Sequence, residues 1–474
     1  MNKTTILLAL GALSLPAAAL AQAGYGYPPP PPMPAPWQAP PGAVAEPWEA
    51  RPVAIPQSQA PAASRTGAAL EPADLPPAIE QGIDMIYIDQ ELVPRSALDS
   101  NLLHEISFDS WSGAPVDMFT SVNPIYTELR RGLVKYRQRW DDLPQVQIAS
   151  GPTLKPGSTG ERVNALRVRL GLAPGDKFDA PVAAAVKEFQ DVHGLKADGI
   201  AGGGTIDSLN RGAAYYEQLI MINMERAKRL PSPEEQPRYA IVDAGDARLS
   251  LWENGRKVDS MKIVVGKAET ATPMMAAYIR FASVNPYWNV PPELVKSLIA
   301  PRVAAQGISY LTDREYQVLT SYGEDAKVID PSTIDWQAVA DGRQEVRLRR
   351  LPSPANSMRY MKFMLPNYFG IYLHDTPTRE NFSNGEQWIS NGCVRVEDYK
   401  RFASWLFGGY VPTGKDPKVE EEVNLPTPVP VYMTYLTVKL TANGVTFLPD
   451  PYGRDEPAME RYGPQLSAAL RGGN

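Results

Sequence analysis

Prolines decide where this chain cannot fold. There are 47 of them in 474 residues, and they crowd into residues 23–77, a low-complexity run of Pro, Ala and Gln with unbroken proline at 28–32. Such a stretch buries too little apolar surface to offset the entropy of ordering it, so an extended polyproline II or disordered tether is expected over 22–77. Cores must therefore be built after residue 78. At roughly 100 to 200 residues per domain, the remainder has room for about three units.

The net charge of −6 is spread without long single-sign blocks, which argues against nucleic-acid partners and against a polybasic membrane anchor. Lys3, an apolar stretch at 6–15, the break at Pro16 and the small-residue site Ala19-Leu20-Ala21 read as a signal peptide over 1–21, with Gln22 opening the mature chain. No other segment reaches the roughly 20 apolar residues of a spanning helix, so a periplasmic protein without a membrane span is expected. A secreted chain with one cysteine, Cys393, forms no internal disulfide.

Helical patterns occupy 78–150, most clearly where Tyr126, Leu129, Leu133 and Tyr136 recur at helical spacing. His104 in this region reads as structural. Residues 151–210 are more specific. Lys155-Pro156-Gly157 opens them, Val163, Leu166 and Leu170 mark one helix, Phe189-Gln190 ends a second, and Gly194-Leu195-Lys196-Ala197-Asp198-Gly199 makes a turn before a third, which Thr205 is expected to cap. The pattern resembles the three-helix peptidoglycan-binding domain of bacterial wall enzymes. Some domains of that fold bind zinc, but His193 lacks companion ligands, so the resemblance implies binding and not catalysis. A further helix in 211–232 is expected to return and complete the helical scaffold.

At Tyr239 the period changes from helix to strand. Tyr239-Ala240-Ile241-Val242, Arg248-Leu249-Ser250-Leu251-Trp252 and residues 258–265 alternate across Asn254-Gly255, and another strand at 277–284 leads to Asn285-Pro286-Tyr287-Trp288-Asn289-Val290-Pro291. Residues 293–350 read as helical pieces, including 313–319. A strand at 360–365, a helix at 397–407, a polar linker and a hairpin across Asn443-Gly444 that closes the sheet follow. These strands, with Val264-Val265-Gly266-Lys267 and Ser390-Asn391-Gly392-Cys393-Val394-Arg395, resemble the catalytic domain of L,D-transpeptidases, specifically the larger periplasmic type with scaffold and peptidoglycan-binding domains. The fold expected is multidomain α+β: a β-rich catalytic domain at 238–450 with a helical capping insertion at about 293–350, the helical scaffold, the three-helix binding domain, and a loosely structured tail at 451–474.

The chemistry centres on the stretch from Tyr372 to Arg395. A thiol of ordinary pKa near 8.5 is mostly protonated at neutral pH and needs a neighbouring base, and His374 is the histidine in the same domain as Cys393. Tyr372, two positions before His374 on a strand, faces the same way and reads as a substrate-positioning or oxyanion-stabilising residue. The turn of Ser390, Gly392 and Cys393, with Asn391 between, offers backbone N–H groups to a developing oxyanion, and Arg395 is suited to a substrate carboxylate. Asn391 stands where many members of the family have a second histidine. The orienting partner of His374 is open between Asp375 and a backbone carbonyl of the 375–385 loop. The resemblance implies attack of Cys393 on the third residue of a tetrapeptide stem, release of D-alanine, and transfer of the acyl group to an acceptor amine, with peptidoglycan stems and glycan strands as partners and no metal or cofactor. Two other readings stay open: a cysteine peptidase that hands the acyl group to water, and a non-catalytic wall-binding protein.

Overall fold

The computed structural model describes residues 123–462, apart from 323, 324, 368 and 443, together with two short strands, β1 (Met85–Asp89) and β2 (Ser107–Phe108). The expected signal peptide and tether, His104, and the tail beyond 462 lie outside the described residues.

Helix α1 (Pro124–Trp140) starts where the Asn123 side chain accepts from the Tyr126 N–H and Pro124 supplies a preset φ. Its stripe of Tyr126, Leu129, Leu133, Tyr136 and Trp140 is buried. Helices α2 (Glu161–Arg169), α3 (Ala180–Val192) and α4 (Gly203–Arg211) follow, and α5 (Ala213–Ala227) packs back on α1. Asn123 ties the two by donating to the carbonyls of Ala227 (2.7 Å) and Leu230 (3.2 Å), and Arg137 pairs with Glu217 at 2.8 Å. Gln190 shows why the Phe-Gln and Asp-Gly elements belong together. Its amide donates to Ile200 O at 2.9 Å and Thr205 Oγ1 at 3.1 Å, and its carbonyl accepts from Gly199 N at 2.8 Å. Thr205 is thus engaged by Gln190, and the helix it was expected to cap begins earlier, at Gly203, with Gly202 as N-cap.

The strands of the second half are β3 (Arg238–Asp243), β4 (Arg248–Glu253), β5 (Arg256–Gly266), β6 (Met275–Val284), β7 (Trp288–Val290), β8 (Tyr316–Leu319), β9 (Val328–Ile329), β10 (Arg347–Arg350), β11 (Met361–Met364), β12 (Leu373–His374), β13 (Trp388–Ser390), β14 (Val394–Val396) and β15 (Glu421–Thr434). Hydrogen bonding runs β11-β12-β14-β5-β4-β3-β15-β6, and β6 also pairs with β11, which closes the sheet into a barrel. Val242, Leu249, Ile263, Ile279, Phe363, Leu373, Val394 and Val431 fill its core together with Phe402 of helix α6 (Tyr399–Leu406), whose ring meets Phe363 at 4.7 Å.

Several expectations are corrected. Met85–Asp89 is a strand on β6, not part of a helical scaffold, and its sequence MIYID is rich in β-formers. Tyr316–Leu319, expected within a helical piece, pairs with β10 in a four-stranded sheet, β7-β10-β8-β9. With Val295, Ile299, Val303, Leu311, Trp336 and Leu348 that sheet forms a core of its own within the insertion. The polar linker after α6 ends by Glu421, where the 14-residue β15 begins. The hairpin β16 (Val438–Thr441) and β17 (Gly444–Phe447) does not close the catalytic sheet. It is a separate ribbon whose Val445 and Phe447 pack into the helical core, because their apolar face meets α1 and α3. Nor is the chain loose directly after 451: Tyr452 and Asp455 are buried, and Asp455 pairs with the fully buried Arg226 of α5 at 2.7 Å.

Candidate active site

Parallel pairing of β12 with β14 sets Leu373 opposite Val394 and His374 opposite Arg395, and the Val394 N–H continues the ladder to Tyr372 O at 3.1 Å. Alternate residues of a strand share a face, and directly opposed residues point the same way. Leu373 and Val394 enter the barrel core; by strand alternation Tyr372, His374, Cys393 and Arg395 fall on the other face, with Tyr372 and Cys393 also packed against the edge of that core. Cys393 lies one residue before β14, partly exposed. The rings of Tyr372 and His374 meet edge-on at 5.7 Å.

The turn ahead of Cys393 is held from several sides. Ser390 Oγ donates to Cys393 O at 2.7 Å and accepts from Gly392 N at 3.1 Å. The Gly392 N–H, expected as an oxyanion donor, is thus taken up by the Ser390 hydroxyl, and what Gly392 supplies is shape. Its φ of +113° is a region L side chains rarely adopt. Thr272 Oγ1 donates to Gly392 O at 2.7 Å while accepting from Gly266 N at 2.9 Å. Ser390 O accepts from Lys267 N at 3.0 Å and Thr270 Oγ1 at 3.1 Å. Gly266 must be glycine for a different reason: a Cβ there would stand 2.1 Å from Thr270 O. The hydroxyl of Tyr452, from the segment expected to be loose, donates to Gly266 O at 2.9 Å and accepts from Thr272 N at 3.3 Å. Asn391 is exposed beside this turn.

His374 is buried, and its Nδ1 bonds the backbone carbonyl of Asp375 at 2.5 Å. A carbonyl only accepts, so Nδ1 carries the proton and the lone pair of the neutral ring lies on Nε2. The orienting group is thus a backbone carbonyl. The Asp375 carboxylate, itself fully buried, turns away and pairs with Arg379 and, at 3.9 Å, with Arg359. Burial first, then the Arg395 guanidinium and Lys362, push His374 down to about 3, against an opposite pull from the Asp375 and Ser357 backbone groups. His374 is consequently neutral at ordinary pH, with burial and the two cations disfavouring its protonated form. Burial lowers Arg395, and attraction to the Cys393 thiolate opposes this.

Lys362, Thr272, Thr270 and Tyr452 escaped the sequence reading. Lys362 alone left a signal, as the one cation in the apolar strand Met361–Met364. Among the described residues, no group of three or more His, Cys, Asp or Glu side chains is arranged to hold a metal, and no helix is long and apolar enough to cross a membrane. His193 is walled in by aromatic rings.

Residues 237–431 match the family model of the L,D-transpeptidase catalytic domain. Over those residues the chain is similar to the L,D-transpeptidase catalytic domain. Residues 165–209 match a second model, "Putative peptidoglycan binding domain", which runs from the second half of α2 through most of α4. A "Putative L,D-transpeptidase" of Haemophilus influenzae is 30% identical over 244 residues, covering 50% of this chain and 48% of that protein. The zinc D-Ala-D-Ala carboxypeptidase of Streptomyces albus G is 40% identical over 65 residues, 12% of this chain and 26% of that protein. This chain thus spans about half the length of the first relative and less of the second. Among solved structures, an L,D-transpeptidase from Mycobacterium smegmatis matches at 12% identity over 42% of this chain and 58% of its own, with a TM-score of 0.20. One from Xylanimonas cellulosilytica matches at 16% identity over 60% and 98%, with a TM-score of 0.18.

Proposed function

We propose that this protein is a periplasmic peptidoglycan L,D-transpeptidase, of the larger type with scaffold and wall-binding domains, that cross-links stem peptides through a cysteine thioester. Its main support is the parallel register of β12 and β14, which gathers Cys393, His374, Tyr372 and Arg395 on one face of the barrel. Cys393 Sγ attacks the carbonyl of the third residue of a donor stem while its proton passes to His374 Nε2. The tetrahedral intermediate collapses, the C–N bond to D-alanine breaks, and the proton returns from His374 to the leaving amine. An acceptor amine then attacks the thioester: a C–N bond forms, the C–S bond breaks, and His374 takes the proton of the amine. The neutral character of His374 suits both steps. Tyr372 positions the donor carbonyl, Arg395 favours the thiolate and receives a stem carboxylate, and Ser390, Asn391 and Gly392 form the rigid turn that presents the sulfur. Residues 165–209 keep the enzyme on its polymeric substrate at the wall.

Intact-mass measurement after exposure to a carbapenem tests the nucleophile: one adduct is expected on the parent and none on Cys393→Ala. An equal adduct on the variant, or none on the parent, would remove Cys393 from the mechanism.

A further inference from the structure

A row of directly opposed residues crosses five strands of the barrel through the catalytic patch. Glu422 on β15 faces Ser283 on β6, Ser283 faces Lys362 on β11, Lys362 faces His374 on β12, and His374 faces Arg395 on β14. Met361 and Phe363, the neighbours of Lys362 on its strand, point into the barrel core, so Lys362 stands on the catalytic face. Its side chain is 15% exposed, with Nζ 5.5 Å from the centre of the Tyr372 ring and 3.4 Å from Glu420. Small Ser283 leaves room for this reach, and Glu422 adds a second carboxylate on the far side. The histidine that must serve as base is therefore flanked by two cations, one on each neighbouring strand.

The two cations have different places in an acyl transfer. Arg395 is on the strand that carries Cys393 and lies beside the acyl group once the thioester forms. The acceptor amine must stand where it can reach the thioester carbonyl and give its proton to His374. The cation beside His374 on the side away from Cys393 is Lys362, directly opposite the histidine on the adjacent strand. An ammonium partly withdrawn from water and held by an exchangeable carboxylate is poised to bind an incoming carboxylate in its place.

We propose that Lys362 recognises a carboxylate on the acceptor, so that the enzyme prefers amines borne on a carbon that also carries a carboxylate, such as the far end of a diamino acid side chain or a free D-amino acid. Glu420 holds the lysine in position until that carboxylate arrives. The proposal rests on the acyl-transfer reading above and adds its acceptor class. A carboxylate seated beside His374 also offsets the two cations that disfavour its protonation, at the step where it takes the proton of the amine.

The experiment uses the full chain, a donor tetrapeptide, and two acceptors that differ only in being a D-amino acid or its amide, with products counted by mass spectrometry and rates corrected to free amine. The parent should favour the acid over the amide by about tenfold, the worth of one charge-assisted hydrogen bond. In Lys362→Met the ratio should fall to near one; in Lys362→Arg most of it should remain. No preference in the parent overturns the proposal and requires no variant. A ratio that stays at the parental value in Lys362→Met while both rates drop assigns the lysine to structure, and also overturns it. Failure of the underlying reading looks different: the parent then shows no donor-derived mass on Cys393.

Discussion

His193 and His374 have the same electrostatic profile and opposite surroundings. Both are buried, both are pushed from the ordinary 6.5 to about 3, and in both desolvation is the largest cause. His193 sits in a cage of rings: Phe189 stacks at 3.8 Å, and Tyr216, Trp140, Phe447 and Tyr136 close the other sides. Both of its nitrogens are satisfied, by Phe189 O at 2.7 Å and the Tyr136 hydroxyl at 3.0 Å. His374 has Nδ1 fixed by the Asp375 carbonyl and lies between two cations, Lys362 and Arg395, on the neighbouring strands. A strongly shifted histidine is thus no signature of catalysis by itself. What separates the two is their company: aromatic rings close round His193, whereas charged side chains stand on both strands beside His374.

The largest expected break in this pairing is functional. His374→Gln should cost a factor of about 100 to 10,000 in transpeptidation, the usual worth of a general base, with little change in melting temperature. His193→Gln should do the reverse. It removes a buried bond to Tyr136 and disturbs the ring cage, so a loss of about 1 to 3 kcal/mol in urea melts is expected, with the turnover of folded enzyme retained. If His193→Gln abolished turnover while the protein stayed folded, the distinction would fail.

Next in size is the turn. Gly392→Ala forces a side chain into a φ of +113° and brings its Cβ to 3.1 Å from Ile371 Cδ1. Acylation of Cys393, followed by mass, should slow by at least about tenfold, and backbone strain of roughly 1 to 3 kcal/mol should appear as lost stability. Thr272→Val, which is nearly isosteric, leaves Gly392 O and Gly266 N without the hydroxyl. A smaller loss of about 1 to 2 kcal/mol is expected, with a parallel fall in acylation rate. An acylation rate equal to the parent's would show that the turn holds its shape without this brace.

The mildest effect is in pH. Both histidines are neutral when folded, whereas in the unfolded chain they titrate near 6.5. As the pH falls, the unfolded state therefore binds protons first. Their contribution to stability is complete above about pH 6.5 and is lost progressively down to about pH 3. Denaturation measured from pH 7 to 4 should show this slope, and His193→Phe should flatten it by about one proton's worth. A slope unchanged in that variant would mean that His193 is not held neutral.

Much of this was legible in order along the chain. The apolar spacing of Tyr126, Leu129, Leu133 and Tyr136 gave a helix because a 3.6-residue period admits one buried stripe. The alternation around Asn254-Gly255 gave a hairpin for the corresponding reason with period two. Cys393 and His374 could be paired by scarcity and motif. The failures share a cause as well. Met85–Asp89 and Tyr316–Leu319 are short apolar runs, where periodicity cannot separate helix from strand, and neighbouring strands decided the matter. The hairpin at 438–447 is legible as a hairpin across Asn443-Gly444, but it packs on the helical core and not on the catalytic sheet, since no local signal says which core an apolar face will meet.

The sequence by itself determined the residue types that do chemistry, the local periods, and the glycines without which the turn cannot form. The tertiary structure decided which distant groups serve that turn: Thr272 braces Gly392 from 120 residues earlier in the chain, the Tyr452 hydroxyl holds Thr272 and Gly266 from 180 and 186 residues later, and Lys362 joins His374 through strand register. These pairings depend on which strand lies beside which, and register is fixed by burial of the whole barrel face rather than by any short stretch of chain.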